Sequence, residues 1–279
     1  MNSTKKCIPF TRRFGFELEF TGNSTSRDKL KRAVETVKGE VARVMDFSRQ
    51  HDNAFWACKT DSTCGFEVAS RVLLTSDDLK QALRVTRAIA KSGAKVSTNC
   101  GFHVHIEVTD YNRNKLARLV NWWVKMERFI MDLMEPSRKD NNFCQRLGQF
   151  YKGNRRYATD ELLEPISHER CYALNVQHFK QRKTIEFRVA HGTNDFVDVK
   201  NWVRFLLVLV EFARAAKQPE DCHYLLPAEI FKTLGFFDEN LSDGLREVRT
   251  WLFDTSLKHA ERDIEQQLIE MAQDELSID

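Results

Sequence analysis

The chain has 279 residues, of which 42% are hydrophobic and 30% charged, with a formal net charge of +3. That balance describes a soluble globular protein and excludes an intrinsically disordered one. So small a charge argues against a nucleic-acid binder, and the longest apolar run, residues 205–210, is far too short to span a bilayer.

In chain order, residues 14–20 (FGFELEF) come first. Phe14, Phe16, Leu18 and Phe20 alternate with Gly15, Glu17 and Glu19. This period of two predicts a strand with one face in a core and two neighbouring carboxylates on the other. The pair is either solvated or balanced by a cation. Residues 21–26 carry turn and capping residues, and a helix is predicted over 28–44 from Leu30, Val34, Val37, Val41 and Val44. Residues 54–58 read as a short strand, and 59–65 as a turn into a second strand bearing Glu67. Asp61 in that turn reads as a turn-making residue. A helix over 77–91 opens with a capping-box pattern at Thr75 and Asp78.

The strand GFHVHIEV alternates Phe102, Val104, Ile106 and Val108 with His103, His105 and Glu107. A long helix over 113–134 follows, rich in Trp122, Trp123 and Phe129. Residues 135–170 lack periodicity and hold Arg138, Arg146, Lys152, Arg155, Arg156 and Arg170. They form either a lid whose bases meet phosphates or a carboxylate, or an ordinary solvated loop. Residues 171–177 and 183–190 read as adjacent strands, the second alternating Ile185, Phe187 and Val189 with Glu186 and Arg188. Beyond them the chain is helical, with helices predicted from 195 or 198 to 216 and over 228–234, 241–253 and 256–276. Seven cysteines are scattered without a CxxC pair, so neither a zinc ribbon nor a disulfide framework is expected. With no apolar segment after the charges of residues 1–13, a cytoplasmic location is expected.

Four strands thus share one pattern, an apolar face backed by a face of Glu, His and Arg. A face merely washed by solvent would mix Lys, Thr, Ser and Gln. Carboxylates and imidazoles gathered from separate strands suit a divalent metal such as magnesium or manganese. His105 points to the same side as His103, as a ligand or as hydrogen-bond partner of a ligand carboxylate.

The motifs FGFELEFTG, DSTCGFEVAS, NCGFHVH, CYALNV with TIEFR, and HGT before a helix bearing Trp202 resemble those of the amidoligase family. This is a branch of the carboxylate–amine ligases with the glutamine synthetase fold. The resemblance runs from residue 14 to about 213. It implies an α+β fold with a curved antiparallel sheet packed on helices and a catalytic domain over 1–216; beyond the resemblance, the helical spacing predicts a C-terminal extension over 217–279 packed on it. It implies ATP and magnesium or manganese as cofactors, with Glu17, Glu19, Glu67, His103 and Glu186 as metal ligands. Arg188 is implied as the phosphate contact, and Arg170 as a phosphate or substrate contact beside Asn175. Arg155 and Arg156 are further candidates for the nucleotide. Catalysis falls to Arg188, Arg170 and Glu186. The partners expected are a small-molecule or peptide acid and an amine, with neither nucleic acid nor membrane. Two motifs depart from the family: Asp61-Ser62-Thr63 stands for the usual DGS, and Ala69-Ser70 for Ser-Pro. The rival readings are a metal-dependent amide hydrolase and a non-catalytic binding relative.

Overall fold

The computed structural model describes residues 5–46, 54–139, 141–150 and 159–276. Its first strand, β1 (Phe14–Thr21), buries Phe14, Phe16, Leu18 and Phe20, as the alternation requires. α1 (Arg27–Glu35) is capped by Ser26, whose side chain accepts from the Lys29 N–H. It ends at Glu35 instead of reaching residue 44. Gly39 has a φ of 88°, a left-handed turn that a helix does not continue through, and the chain emerges extended as β2 (Ala42–Val44). Val41 and Val44, helical in spacing, are exposed and contribute nothing to the core.

β3 (Trp56–Asp61) and β4 (Gly65–Ala69) form the expected hairpin. α2 (Ser76–Lys91) opens with the expected capping box between Thr75 and Asp78. β5 (Gly101–Glu107) leads into α3 (Arg113–Asp132), then α4 (Pro136–Lys139), a 3-10 turn at Leu147–Phe150 and α5 (Thr159–Ile166). β6 (Leu174–Asn175) is shorter than the strand expected over 171–177, and α6 (Phe179–Arg182) separates it from β7 (Thr184–His191). α7 (Phe196–Ala215), α8 (Pro227–Thr233) and α9 (Asp243–Leu276) complete the chain. α9 is one helix where two were expected. Ser256, which reads as a helix start, turns its hydroxyl back onto the Phe253 carbonyl at 2.8 Å and lies within the helix.

The strands form one seven-stranded sheet in the order β2-β3-β4-β1-β5-β7-β6. β1 lies at its centre, antiparallel to both β4 and β5. The sheet is mixed, not wholly antiparallel as expected, because β2 pairs parallel to β3 at one edge. That pairing joins two strands through a long connection instead of a tight turn, which a parallel pair needs.

The apolar face packs into a single core with the helices. Phe16 meets Trp56 and Phe102 edge-on, each at 5.8 Å, and Trp123 leans on Phe187 at 5.3 Å. α9 lies on α7 and α3 and buries Leu245, Val248 and Leu252. All seven cysteines are free. Among the described residues, no helix is long and apolar enough to cross a membrane. Phe16 sits at the middle of the central strand, so Phe16→Ala is expected to cost about 3–5 kcal/mol in a urea melt. A loss under about 1 kcal/mol would place Phe16 outside the core.

Candidate metal and phosphate site

Strand register decides which polar side chains become neighbours. Opposite one another across the sheet stand Lys59 and Glu67, Glu67 and Glu19, Glu17 and His103, His105 and Glu186, and Glu186 and Asn175. Directly opposed side chains on one face lie close enough to interact. The sheet therefore gathers Glu17, Glu19, Glu67 and Glu186 around two imidazoles, opposite its apolar face.

The distances bear this out. His103 places Nδ1 3.4 Å from Glu17 and 3.6 Å from Glu186, and Nε2 3.6 Å from Glu19. His105 Nε2 lies 3.4 Å from Glu17 and 3.9 Å from Glu186. Glu19 also accepts the Gly101 N–H at 2.6 Å. A side chain at Gly101 would come within 2.7 Å of His103 Nε2, so glycine here is what lets the ring stand beside Glu19.

Burial raises the cost of charge, and the histidines counter it. Burial pushes the Glu17 carboxyl up, but His105 and His103 outweigh it and hold it well below the usual range. Glu186 is pushed up by burial and brought lower by His105, Arg188 and His103. Glu67 goes the other way: burial and the Glu17 charge push it up to about 7, against the pull of Lys59. His105 resists its own burial because Glu17 and Glu186 face it, and is pushed up to about 9.

A cleft of about 280 Å³ opens over this face. Glu17, Glu19, Glu67, His103, Arg170 and Arg188 line it, whereas Glu186 is buried beneath and does not. Arg188 donates through Nη1 to Glu186 and through Nε to the Phe143 carbonyl at 3.3 Å. Arg170 stands exposed at the rim. Arg155 and Arg156 lie outside the described residues.

Other residues differ from expectation. Asn175 is buried and does not line the cleft. Its Nδ2 donates to Glu186 at 2.7 Å while its Oδ1 accepts the Gln177 N–H, so it stands behind the carboxylate it holds. Arg138, a candidate lid base, is buried and gives hydrogen bonds to the carbonyls of Val189 and Arg188, yet it also lines the cleft. Asp61 does make its turn, accepting the N–H groups of Thr63 and Cys64, yet it also lines the cleft. Lys59 was missed. Its ammonium lies in the cleft 3.0 Å from Glu67, and alternation with Ala57 and Asp61 could have found it had the strand been carried past residue 58.

Whether a metal fits can be judged from the donors. Atoms of Glu17, His105 and Glu186 all lie within 4.8 Å of one another, as do atoms of Glu19, Asp61 and Cys64. His105 Nε2 is buried without a hydrogen bond, between two carboxylates. An oxygen-rich set with imidazole nitrogen suits magnesium or manganese.

The family described as "Putative amidoligase enzyme" matches residues 10–210, and the chain belongs to it. The complex of the prokaryotic ubiquitin-like protein Pup with its ligase PafA aligns at 13% identity and a TM-score of 0.35. The alignment covers 91% of this chain and 58% of that one. No curated protein matches the chain.

The charges set a pH dependence in the metal-free protein. His105 is raised above its unfolded value, so its contribution to stability is fully present below about pH 6.5 and is lost as pH rises through about 9. An NMR titration is expected to show the His105 ring losing its proton near pH 9. Titration at the ordinary value would contradict the pairing with Glu17 and Glu186.

Proposed function

We propose that the protein is an ATP-dependent carboxylate–amine ligase that activates its acid as an acyl phosphate. The observation that carries this reading is the convergence of Glu17, Glu19, Glu67 and Glu186 with two histidines on one sheet face, with Arg188 and Arg170 at the same cleft. Membership of the amidoligase family supports amide formation as the direction of reaction.

The chemistry asks for this set. A carboxylate becomes an acyl donor only when oxide is replaced by a better leaving group. The γ-phosphoryl group of ATP, transferred to a carboxylate oxygen, supplies it. The amine then attacks the carbonyl carbon and expels phosphate. Phosphoryl transfer needs positioning and charge neutralisation more than covalent help. Glu17, Glu19, Glu67, His103, His105 and Glu186 would hold magnesium or manganese, which neutralises phosphate charge when bound. Arg188 keeps its charge against burial because Glu186 faces it, and it binds the phosphoryl group in transfer. Asn175 fixes the Glu186 carboxylate from behind. Arg170 at the rim meets phosphate or the acid. Lys59 holds Glu67 in the cleft. The acid and amine are small molecules or peptides, a cell-wall peptide among them, and the setting is the cytoplasm.

Glu17→Gln and Glu19→Gln keep shape but remove the charge that balances cations. Calorimetry with ATP and magnesium is expected to show binding to the parent chain and much weaker binding to both variants. Equal binding after chelation would contradict the proposal.

Arg188 separates binding from chemistry. The charge it faces is larger in the transition state than in bound ATP, so its loss lowers turnover more than nucleotide affinity. Arg188→Ala is expected to lower the rate roughly a hundredfold or more. Arg188→Lys should rescue poorly, because it lacks the planar fork. A loss of affinity with turnover unchanged would assign Arg188 to ground-state binding alone.

A further inference from the structure

A second cavity, of about 70 Å³, lies among the end of β7, the chain after α3, α7 and α9. It shares no lining residue with the cleft. His191, Trp202, Trp251, Thr255, Lys258 and His259 are among the residues around it. This is the HGT stretch that the proposed reaction leaves without a role.

Two polar atoms here lack partners among the described residues. Trp202 is 1% exposed, and its indole N–H is buried with no acceptor. His191 Nδ1 is buried with none either. Such groups are normally paired, because leaving them unpaired costs stability. The neighbouring acids are already engaged. Asp198 accepts the Trp251 indole N–H at 3.0 Å and the Thr193 hydroxyl at 3.3 Å, and Glu135 pairs with Arg262. Lys258, exposed at the mouth, makes no ion pair among the described residues.

These features restrict the occupant. An indole N–H only donates, so it calls for an acceptor and gives nothing to a metal or an ammonium group. An apolar molecule would leave both atoms unpaired. A doubly charged anion would meet Asp198 and Glu135 with one free ammonium to balance it. A single water needs roughly 10–15 Å³, and this cavity offers about five times that. We propose that the cavity binds a small monocarboxylate, of the size of formate to propionate. Its oxygens accept the Trp202 and His191 N–H groups, and Lys258 balances its charge at the mouth. Burial holds both His191 and His259 below the ordinary histidine value; Arg138 and Arg262 also act on these rings but are engaged, with the Val189 and Arg188 carbonyls and with Glu135, whereas Lys258 has no such partner among the described residues.

The test uses the full chain labelled with nitrogen-15, titrated separately with sodium formate, acetate and propionate, and with sodium chloride at equal ionic strength. The Trp202 indole resonance is the one missing from Trp202→Phe. It is expected to shift saturably with a carboxylate and not with chloride. In Lys258→Gln, an exposed change that leaves the fold intact, the apparent affinity should fall several-fold. Absence of a saturable shift, an equal response to chloride, or unchanged affinity in Lys258→Gln would overturn the proposal and leave a water-filled cavity. If Trp202→Phe does not fold, the parent and Lys258→Gln titrations decide the matter through whichever indole resonance responds. None of these readouts depends on ATP or on the cleft.

Discussion

The structure depends on the mutual repulsion of carboxylates held on one face of a sheet. Glu17, Glu19, Glu67 and Glu186 are brought together by strand pairing, not by attraction to one another. Their charges are compensated locally: His105 and His103 against Glu17, Arg188 and Asn175 against Glu186, and Lys59 against Glu67. His105 Nε2 remains buried between two carboxylates without a hydrogen bond. A face so assembled is poised to take further positive charge.

That arrangement is sustained from the other side of the same strands. Because side chains alternate, each carboxylate on β1 is bracketed by buried residues: Phe16 and Leu18 around Glu17, Leu18 and Phe20 around Glu19. A slip of one residue would exchange the two faces. The apolar packing of Phe16 with Trp56 and Phe102 therefore sets the register that aligns Glu17 with His103 and Glu19 with Glu67. Stability and chemistry are two consequences of one alternation.

What the sequence made legible follows from that. Alternation is fixed by the backbone, so the faces of β1, β4, β5 and β7 could be read directly, and so could the Thr75–Asp78 cap, whose residues are local. Features set by distant contacts could not. The parallel edge pair β2–β3 depends on where Gly39 turns the chain. Asn175 has the chemistry of a ligand contact, and only the β6–β7 pairing shows it behind Glu186. Arg138 has the composition of a mobile base, and only the structure shows it held by β7 carbonyls at the wall of the cleft. The unbroken α9 escaped because Ser256 bonds within its helix instead of capping a new one.

The central claim is that a carboxylate oxygen passes to phosphate as the amide forms. It is tested by supplying acids labelled with oxygen-18 in the carboxylate, together with ATP, magnesium and a panel of amines, and measuring the label in the phosphate released. The account requires that each amide formed be matched by one labelled oxygen in inorganic phosphate. Amide made or cleaved at full rate without ATP would contradict it and leave a metal-dependent hydrolase in its place, and amide formed with unlabelled phosphate would exclude the acyl phosphate.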